Sequence, residues 1–185
     1  MTGYDAWDRE YKENRSAYLD IFESFMTQNN YENNENFENE FAKLVGRKYC
    51  VSVASATDAL HFALLAHNIG KGDEVLVTDF SWISSSACAS MVGATPVFCD
   101  IDLDSYHMSM DSIKRMYSDK VKAIIYPHLF GNMTDTIEIE QFCKDNDILF
   151  IEDAAQSLGS SLHGVGAGTI GDCSVYSFNS NKVIA

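Results

Sequence analysis

The sequence predicts an α/β fold in which a largely parallel sheet is covered by helices on both faces, and three observations carry that expectation. Strand-like and helix-like segments alternate from residue 49 to the end of the chain. The strand-like segments are continuous Val/Ile/Phe runs with no polar alternation, the pattern of strands buried on both faces. The chain has 185 residues, of which 46% are hydrophobic and 12% aromatic, enough for one sizeable core and too little for two ordinary domains. One domain is therefore expected.

Each element follows from spacing. Tyr18, Ile21, Phe22 and Phe25 recur at helical intervals and predict a helix over 14–26, which the Asn-rich stretch 28–36 interrupts as an exposed loop. Phe37, Phe41, Leu44 and Val45 form a second helical stripe, closed by Gly46 in a left-handed conformation. The alternation then runs as strand 49–53, helix 57–66, strand 75–77, helix 82–91, strand 96–100, helix 111–117, strand 123–126, helix 137–145, strand 148–151 and strand 173–178. In a sheet of this kind ligands sit at the carboxyl ends of the strands, so the residues just after each strand carry the chemistry.

Bulk properties narrow the function. The formal net charge is −14, with acidic residues concentrated near the N-terminus, so the clustered Lys and Arg that grip a phosphate backbone are missing and a nucleic-acid partner is not expected. Cys50, Cys88, Cys99, Cys143 and Cys173 are odd in number, widely spaced and without a C-x-x-C pair, which indicates neither a disulfide framework nor a zinc site. They read as small core residues in a reducing cytoplasm. No apolar run reaches the roughly 18 to 20 residues of a membrane helix, and the acidic start lacks the basic region of a signal peptide. The chain stops after the apolar pair Val183-Ile184, and a further C-terminal part is expected beyond it.

Four strand ends stand out. Ser55-Ala56-Thr57-Asp58 runs straight into an apolar helix. Free amides and the positive dipole end at such a junction bind phosphate, and a Ser or Thr there equally serves as a helix cap. Trp82 follows the strand 75–77, where its ring either stacks on a flat aromatic ligand or fills the core. Asp153 ends the strand 148–151. A carboxylate there needs a partner, and a protonated ring nitrogen, a metal or a helix start would each serve; no second carboxylate or His cluster at ligand spacing supports the metal. Lys182 follows Ser177-Phe178-Asn179-Ser180-Asn181; on the strand-end face it is a candidate amine nucleophile, elsewhere an ordinary surface lysine. Residues 166–171 match G-x-G-x-x-G but precede a strand where the dinucleotide fingerprint follows one, so they read as a flexible turn. His128, in P-H-L-F-G at a strand end, either approaches a ligand or is structural.

The ordered motifs F-E-N-E-F-A-K-L-V-G, S-A-T-D-A-L-H-F-A-L, G-A-T-P-V-F-C-D-I-D, P-H-L-F-G, I-E-D-A-A-Q-S-L-G, G-T-I-G-D and S-F-N-S-N-K resemble the DegT/DnrJ/StrS family of sugar aminotransferases, from about Phe37 to the end. The resemblance implies a three-layer αβα fold, the fold type I large domain with a mostly parallel mixed sheet, and pyridoxal phosphate as cofactor. It implies that Ala56, Thr57 and Ser177 bind the cofactor phosphate, Trp82 stacks on the pyridine ring, Asp153 pairs with the pyridinium nitrogen and Gln156 lies near the phenolic oxygen. Lys182 would hold the cofactor as a Schiff base and relay the proton during turnover. Two positions depart from the family pattern: Ala56 stands where Gly is usual, and Asn179-Ser180-Asn181 is poorer in Pro and Gly.

The implied reaction moves an amino group from L-glutamate to a nucleotide-linked keto sugar, first a dTDP- or GDP-4-keto-6-deoxyhexose and second a 3-keto sugar. The amino sugar would feed surface polysaccharides such as the O-antigen of lipopolysaccharide. The family's dehydratase branch carries His in place of the lysine, and Lys182 argues against it; a non-catalytic binding homologue is the alternative from another class. By the same resemblance the enzyme is a homodimer, and residues 1–185 are an N-terminal segment plus most of the cofactor-binding domain, with a small C-terminal domain missing.

Overall fold

A computed structural model describes residues 3–27 and 31–183. The described residues fall into two compact units, one drawn from Met1–Lys43 and Lys48–Ser52, the other from Leu44–Arg47 and Val53–Ala185.

The first unit is built on α1 (Gly3–Thr27) and α2 (Tyr31–Leu44). Helix α1 is longer than its apolar stripe predicts, and Ile21, Phe22, Phe25 and Met26 on it remain exposed. Of the loop expected over 28–36, residues 28–30 lie outside the described residues, and the rest is helix. The Asn content suggested a break, but Phe41 and Ala42 anchor the helix by burial. Gly46 follows at φ +70°, the left-handed terminator expected. The strand expected over 49–53 does not form. Tyr49 and Val51 are exposed, and the Ser52 amide donates to Glu38 Oε1 at 2.6 Å, a side-chain acceptor in place of a ladder partner. β-branched residues favour extended backbone, but only a neighbouring strand makes it a sheet.

The second unit holds a five-stranded sheet in the order β2-β1-β3-β4-β7, formed by β1 (Glu74–Thr78), β2 (Thr95–Cys99), β3 (Val121–Pro127), β4 (Leu149–Asp153) and β7 (Cys173–Val175). All four pairings in it are parallel, while the short β5 (Ser161–Leu162) and β6 (Val165–Gly166) pair antiparallel as a separate ladder. The mostly parallel α/β architecture is the one the sequence predicts. Period-two alternation sends Val75, Val77, Ala123, Ile125 and Ile151 to one face, where they pack with Leu60 and Leu64 of α3 (Ala56–Ala66) and with Cys88 and Ala89 of α4 (Ser84–Met91). Leu76, Ile124, Tyr126 and Phe150 go to the other, against Ile113 of α5 (Met110–Met116) and Ile139 and Cys143 of α6 (Ile137–Asp145). The three-layer arrangement follows directly.

The same alternation separates two adjacent carboxylates. Asp153 continues the row of Ile151 toward α3 and α4, and Glu152 continues the row of Phe150 toward the other layer.

Candidate active site

Helix α3 begins where the phosphate-binding reading requires. Ser55 is its N-cap, and its hydroxyl accepts from the Asp58 amide at 3.1 Å. Capping and phosphate binding are therefore compatible, because the Ala56 and Thr57 amides, at the first helical positions, have no intrahelical acceptor to reach. The Thr57 hydroxyl lies 2.6 Å from Ser84 Oγ, which is itself buried at the start of α4. Ser84 is a residue that the sequence reading missed; the hydroxyl run Ser84-Ser85-Ser86 was the available signal.

Asp153 stands at the carboxyl end of β4, paired in register with Pro127 of β3 and Val175 of β7. It is buried, and burial pushes its carboxyl above the ordinary range; the Ala155 amide, donating to Oδ1 at 3.1 Å, and the charges of Lys182 and His128 pull the other way. Lys182 is thus brought within electrostatic reach of Asp153. It is half-buried, and its amide donates to Asn179 O at 2.8 Å. The strand leading to it ends at Val175, shorter than expected, and Ser177 lies just beyond, half-buried, accepting from the Asn179 amide at 3.3 Å.

Gln156 sits in the turn after β4 with its Oε1 accepting from the Phe130 amide at 2.8 Å, so its NH2 group remains to donate. Phe130 is held at φ 58°, a costly backbone for a bulky residue, and its ring leans toward Phe80 at the end of β1. Trp82 is 70% exposed at the same edge of the sheet, which rules out the core reading of its ring. His128 is buried; its Nε2 is 2.9 Å from Glu152 Oε1, and its ring packs against Tyr126, which makes its role structural.

The site therefore offers free amides and a hydroxyl at a helix start, a buried carboxylate within electrostatic reach of a lysine, an amide donor and an exposed indole, all at the carboxyl edge of the sheet. A phosphorylated aromatic aldehyde with a basic ring nitrogen fits these donors: Asp153, with only one amide hydrogen bond of its own, suits a ring N–H, and Lys182 suits the aldehyde. A cavity of about 690 Å³ lies at the opposite edge, against Asp73, Lys122 and Leu149 near the starts of β1, β3 and β4. Strand polarity outweighs cavity size in choosing between them. Among the described residues no group of His, Cys, Asp and Glu is placed to hold a metal ion, and no helix is long and apolar enough to cross a membrane.

The profile of the DegT/DnrJ/EryC1/StrS aminotransferase family matches residues 8–185. The chain belongs to this family. GDP-perosamine synthase of Escherichia coli O157:H7 is 40% identical to it over 150 residues, which cover 81% of this chain and 41% of that relative. Two solved family structures superpose well. DesV of S. venezuelae has a TM-score of 0.86 at 28% identity, covering 95% of this chain and 48% of that one. A sugar-aminotransferase homologue from Streptococcus pneumoniae, solved in its pyridoxal phosphate form, has a TM-score of 0.78 at 29% identity, covering 82% of this chain and 43% of that one. The chain thus spans about two-fifths of the length of the curated relatives it matches.

Proposed function

We propose that this chain is the cofactor-binding part of a pyridoxal phosphate-dependent aminotransferase that transfers an amino group from L-glutamate to a nucleotide-linked keto sugar. The observation that supports the reading is the buried Asp153 at the carboxyl end of β4, with the charge of Lys182 reaching it. The first choice of acceptor is a dTDP- or GDP-4-keto-6-deoxyhexose, supported by the 40% identity to a GDP-perosamine synthase.

In this reading the Ala56 and Thr57 amides, the Thr57 hydroxyl and Ser177 bind the phosphate, with the hydroxyl oriented by Ser84. Trp82 covers one face of the ring, Asp153 keeps the ring nitrogen protonated, and the Gln156 NH2 donates to the phenolic oxygen. When bound, pyridoxal phosphate supplies a ring that withdraws electrons from the substrate carbon. Lys182 would hold the cofactor through Nζ, and the same amine would serve as the base that moves the proton during transfer.

The coverage of relatives supports the proposal that residues 1–185 are an N-terminal segment plus most of the large domain, with a smaller domain following. The exposed apolar side chains of α1 support a homodimer, in which a partner would cover them. Placement in the cytoplasm and in synthesis of an amino sugar for surface polysaccharide completes the proposal.

Two measurements test it. Incubation with pyridoxal phosphate is expected to produce a cofactor absorbance band that Lys182→Ala abolishes; a wild-type chain without the band refutes the cofactor reading. Amine transfer from L-glutamate, assayed with the protein that contains this chain against a panel of nucleotide keto sugars with mass detection, identifies the sugar, and failure with every member refutes the substrate class.

A further inference from the structure

The glycine-rich run 166–171 is closed around a side chain of the protein itself. Glu152, fully buried, receives four hydrogen bonds: Oε1 accepts from the Gly168 amide at 3.1 Å and lies 2.9 Å from His128 Nε2, and Oε2 accepts from the Ile170 amide at 2.7 Å and the Gly171 amide at 2.8 Å. Arg47 secures the same turn from its carbonyl side, with Nε donating to Gly168 O and Nη2 to Gly171 O, both at 2.7 Å, and Nη2 3.6 Å from Glu152 Oε2. The turn has no room for side chains at two of its glycines: a Cβ on Gly171 would meet Phe150 O at 2.6 Å, and one on Gly168 would meet Tyr176 Oη at 2.0 Å. A carboxylate removed from water is costly unless its lone pairs are filled, and here they are.

What this cluster joins gives it a role. Glu152 is the residue before Asp153 on β4. The turn it grips leads into β7, and β7 leads through Ser177 to Lys182. The β4–β7 ladder itself has only three register pairs, Ile151 with Cys173, Glu152 with Ser174 and Asp153 with Val175. A ladder that short gives little restraint of its own. We propose that Glu152 is a positioning residue for the cofactor site: its carboxylate, clamped by the amides of Gly168, Ile170 and Gly171, fixes where Lys182 stands relative to Asp153. The proposal rests on the pyridoxal phosphate reading for the group that Lys182 meets, but the clamp itself is independent of it.

Glu152→Gln tests it in the full chain. Whichever way the new amide is turned, its NH2 faces at least one backbone N–H, that of Gly168 on one side or those of Ile170 and Gly171 on the other, so part of the clamp opens while the volume is kept. Two readouts are taken. Hydrogen exchange over residues 167–183 reports the clamp without any cofactor. Borohydride trapping reports the positioning: the Lys182 amine condenses with the aldehyde of pyridoxal phosphate, releasing water, hydride reduces the C=N bond to a stable amine, and mass spectrometry compares the label on Lys182 with that on the other lysines.

The expected result is faster exchange over 167–183 and a loss of roughly tenfold or more in selective labelling of Lys182, the scale set by a misplacement of about 1 Å. A purely structural role would lower the melting temperature and leave the selectivity of the folded fraction intact. Arg47→Ala, at a half-buried position that is easier to substitute, is expected to change both readouts in the same direction by a smaller factor. A folded Glu152→Gln chain with unchanged exchange and unchanged Lys182 labelling overturns the proposal. If that variant does not fold, unchanged readouts in Arg47→Ala overturn it instead. A wild-type chain that takes no label at Lys182 refutes the cofactor reading, while the exchange experiment still decides the clamp.

Discussion

The hydroxyl pair formed by Thr57 and Ser84 separates stability from ligand binding in one double-mutant cycle. Their oxygens are 2.6 Å apart, and Ser84 is buried. Thr57→Val keeps the shape and removes one hydroxyl, leaving the Ser84 hydroxyl in a dry site without its partner. An abandoned buried hydroxyl costs about 1–3 kcal/mol, whereas removing both partners is close to neutral. For a chain of this size each kcal/mol shifts the melting temperature by about 2–4 °C. Thr57→Val alone should therefore melt lower by roughly 2–12 °C, and adding Ser84→Ala should restore most of that loss. Affinity for pyridoxal phosphate behaves differently. A hydrogen bond to a charged phosphate is worth about 1.5–3 kcal/mol, so both the single and the double variant should bind the cofactor about 10- to 150-fold more weakly. The assays are thermal melting without cofactor and a spectroscopic titration with it. A double variant that is no more stable than Thr57→Val sinks the satisfaction argument, and one that binds cofactor like the wild type removes Thr57 from the phosphate site.

Two further predictions concern titration and reactivity. Burial raises the proton affinity of Asp153 above that of the unfolded chain, so without cofactor this group costs stability increasingly as pH rises through its folded value. Asp153→Asn should therefore be more stable than the wild type at neutral pH, equal to it in acid, and roughly tenfold or more weaker for pyridoxal phosphate, as read by urea unfolding across pH and by cofactor titration. Glu152 runs the opposite way: burial pushes it up but its hydrogen bonds to His128, Gly171 and Ile170 outweigh that and lower it, so its contribution is lost as pH falls through its folded value, and acid unfolding should persist in Asp153→Asn. The Cys88 thiol, pushed up to about 12 by burial, should resist a thiol reagent in the folded chain and react once denaturant is added, which a timed labelling experiment checks.

Most of the second unit was legible because its strands are buried on both faces and write themselves as unbroken apolar runs, as Val75-Leu76-Val77 does for β1. The strand-end residues were legible for the same reason: once a strand is placed, its exit is placed, and Asp153 and Trp82 follow. Residues 49–53 carry the same kind of run and form no strand, because pairing is decided by a distant neighbour that local propensity does not report. The clamp was hidden by distance too. Arg47 meets the Gly171 carbonyl across 124 positions, and Glu152 meets the Gly171 amide across 19. In the sequence Glu152 was merely the residue beside Asp153, and the glycines it binds looked like a dinucleotide motif in the wrong place. Helix α2 was shortened by weighing Asn as a breaker where the buried Phe41 and Ala42 favour helix.

The opposite facing of Glu152 and Asp153 also bears on how the chain avoids misfolding. An apolar strand buried on both faces carries little information about register, since Phe150 and Ile151 would be equally content in each other's place. A slip of one residue along β3 would leave the hydrophobic pattern of β4 almost unchanged, yet it would carry Glu152 into the ligand layer and Asp153 toward the glycine turn. The shorter aspartate, one methylene less in reach, cannot fill the turn as the glutamate does, and the amides of Ile170 and Gly171 would be left without acceptors in the interior. The decoy is thus penalised by unpaired amides although its apolar burial is nearly the same, so the buried carboxylate acts as a proofreading element for strand alignment.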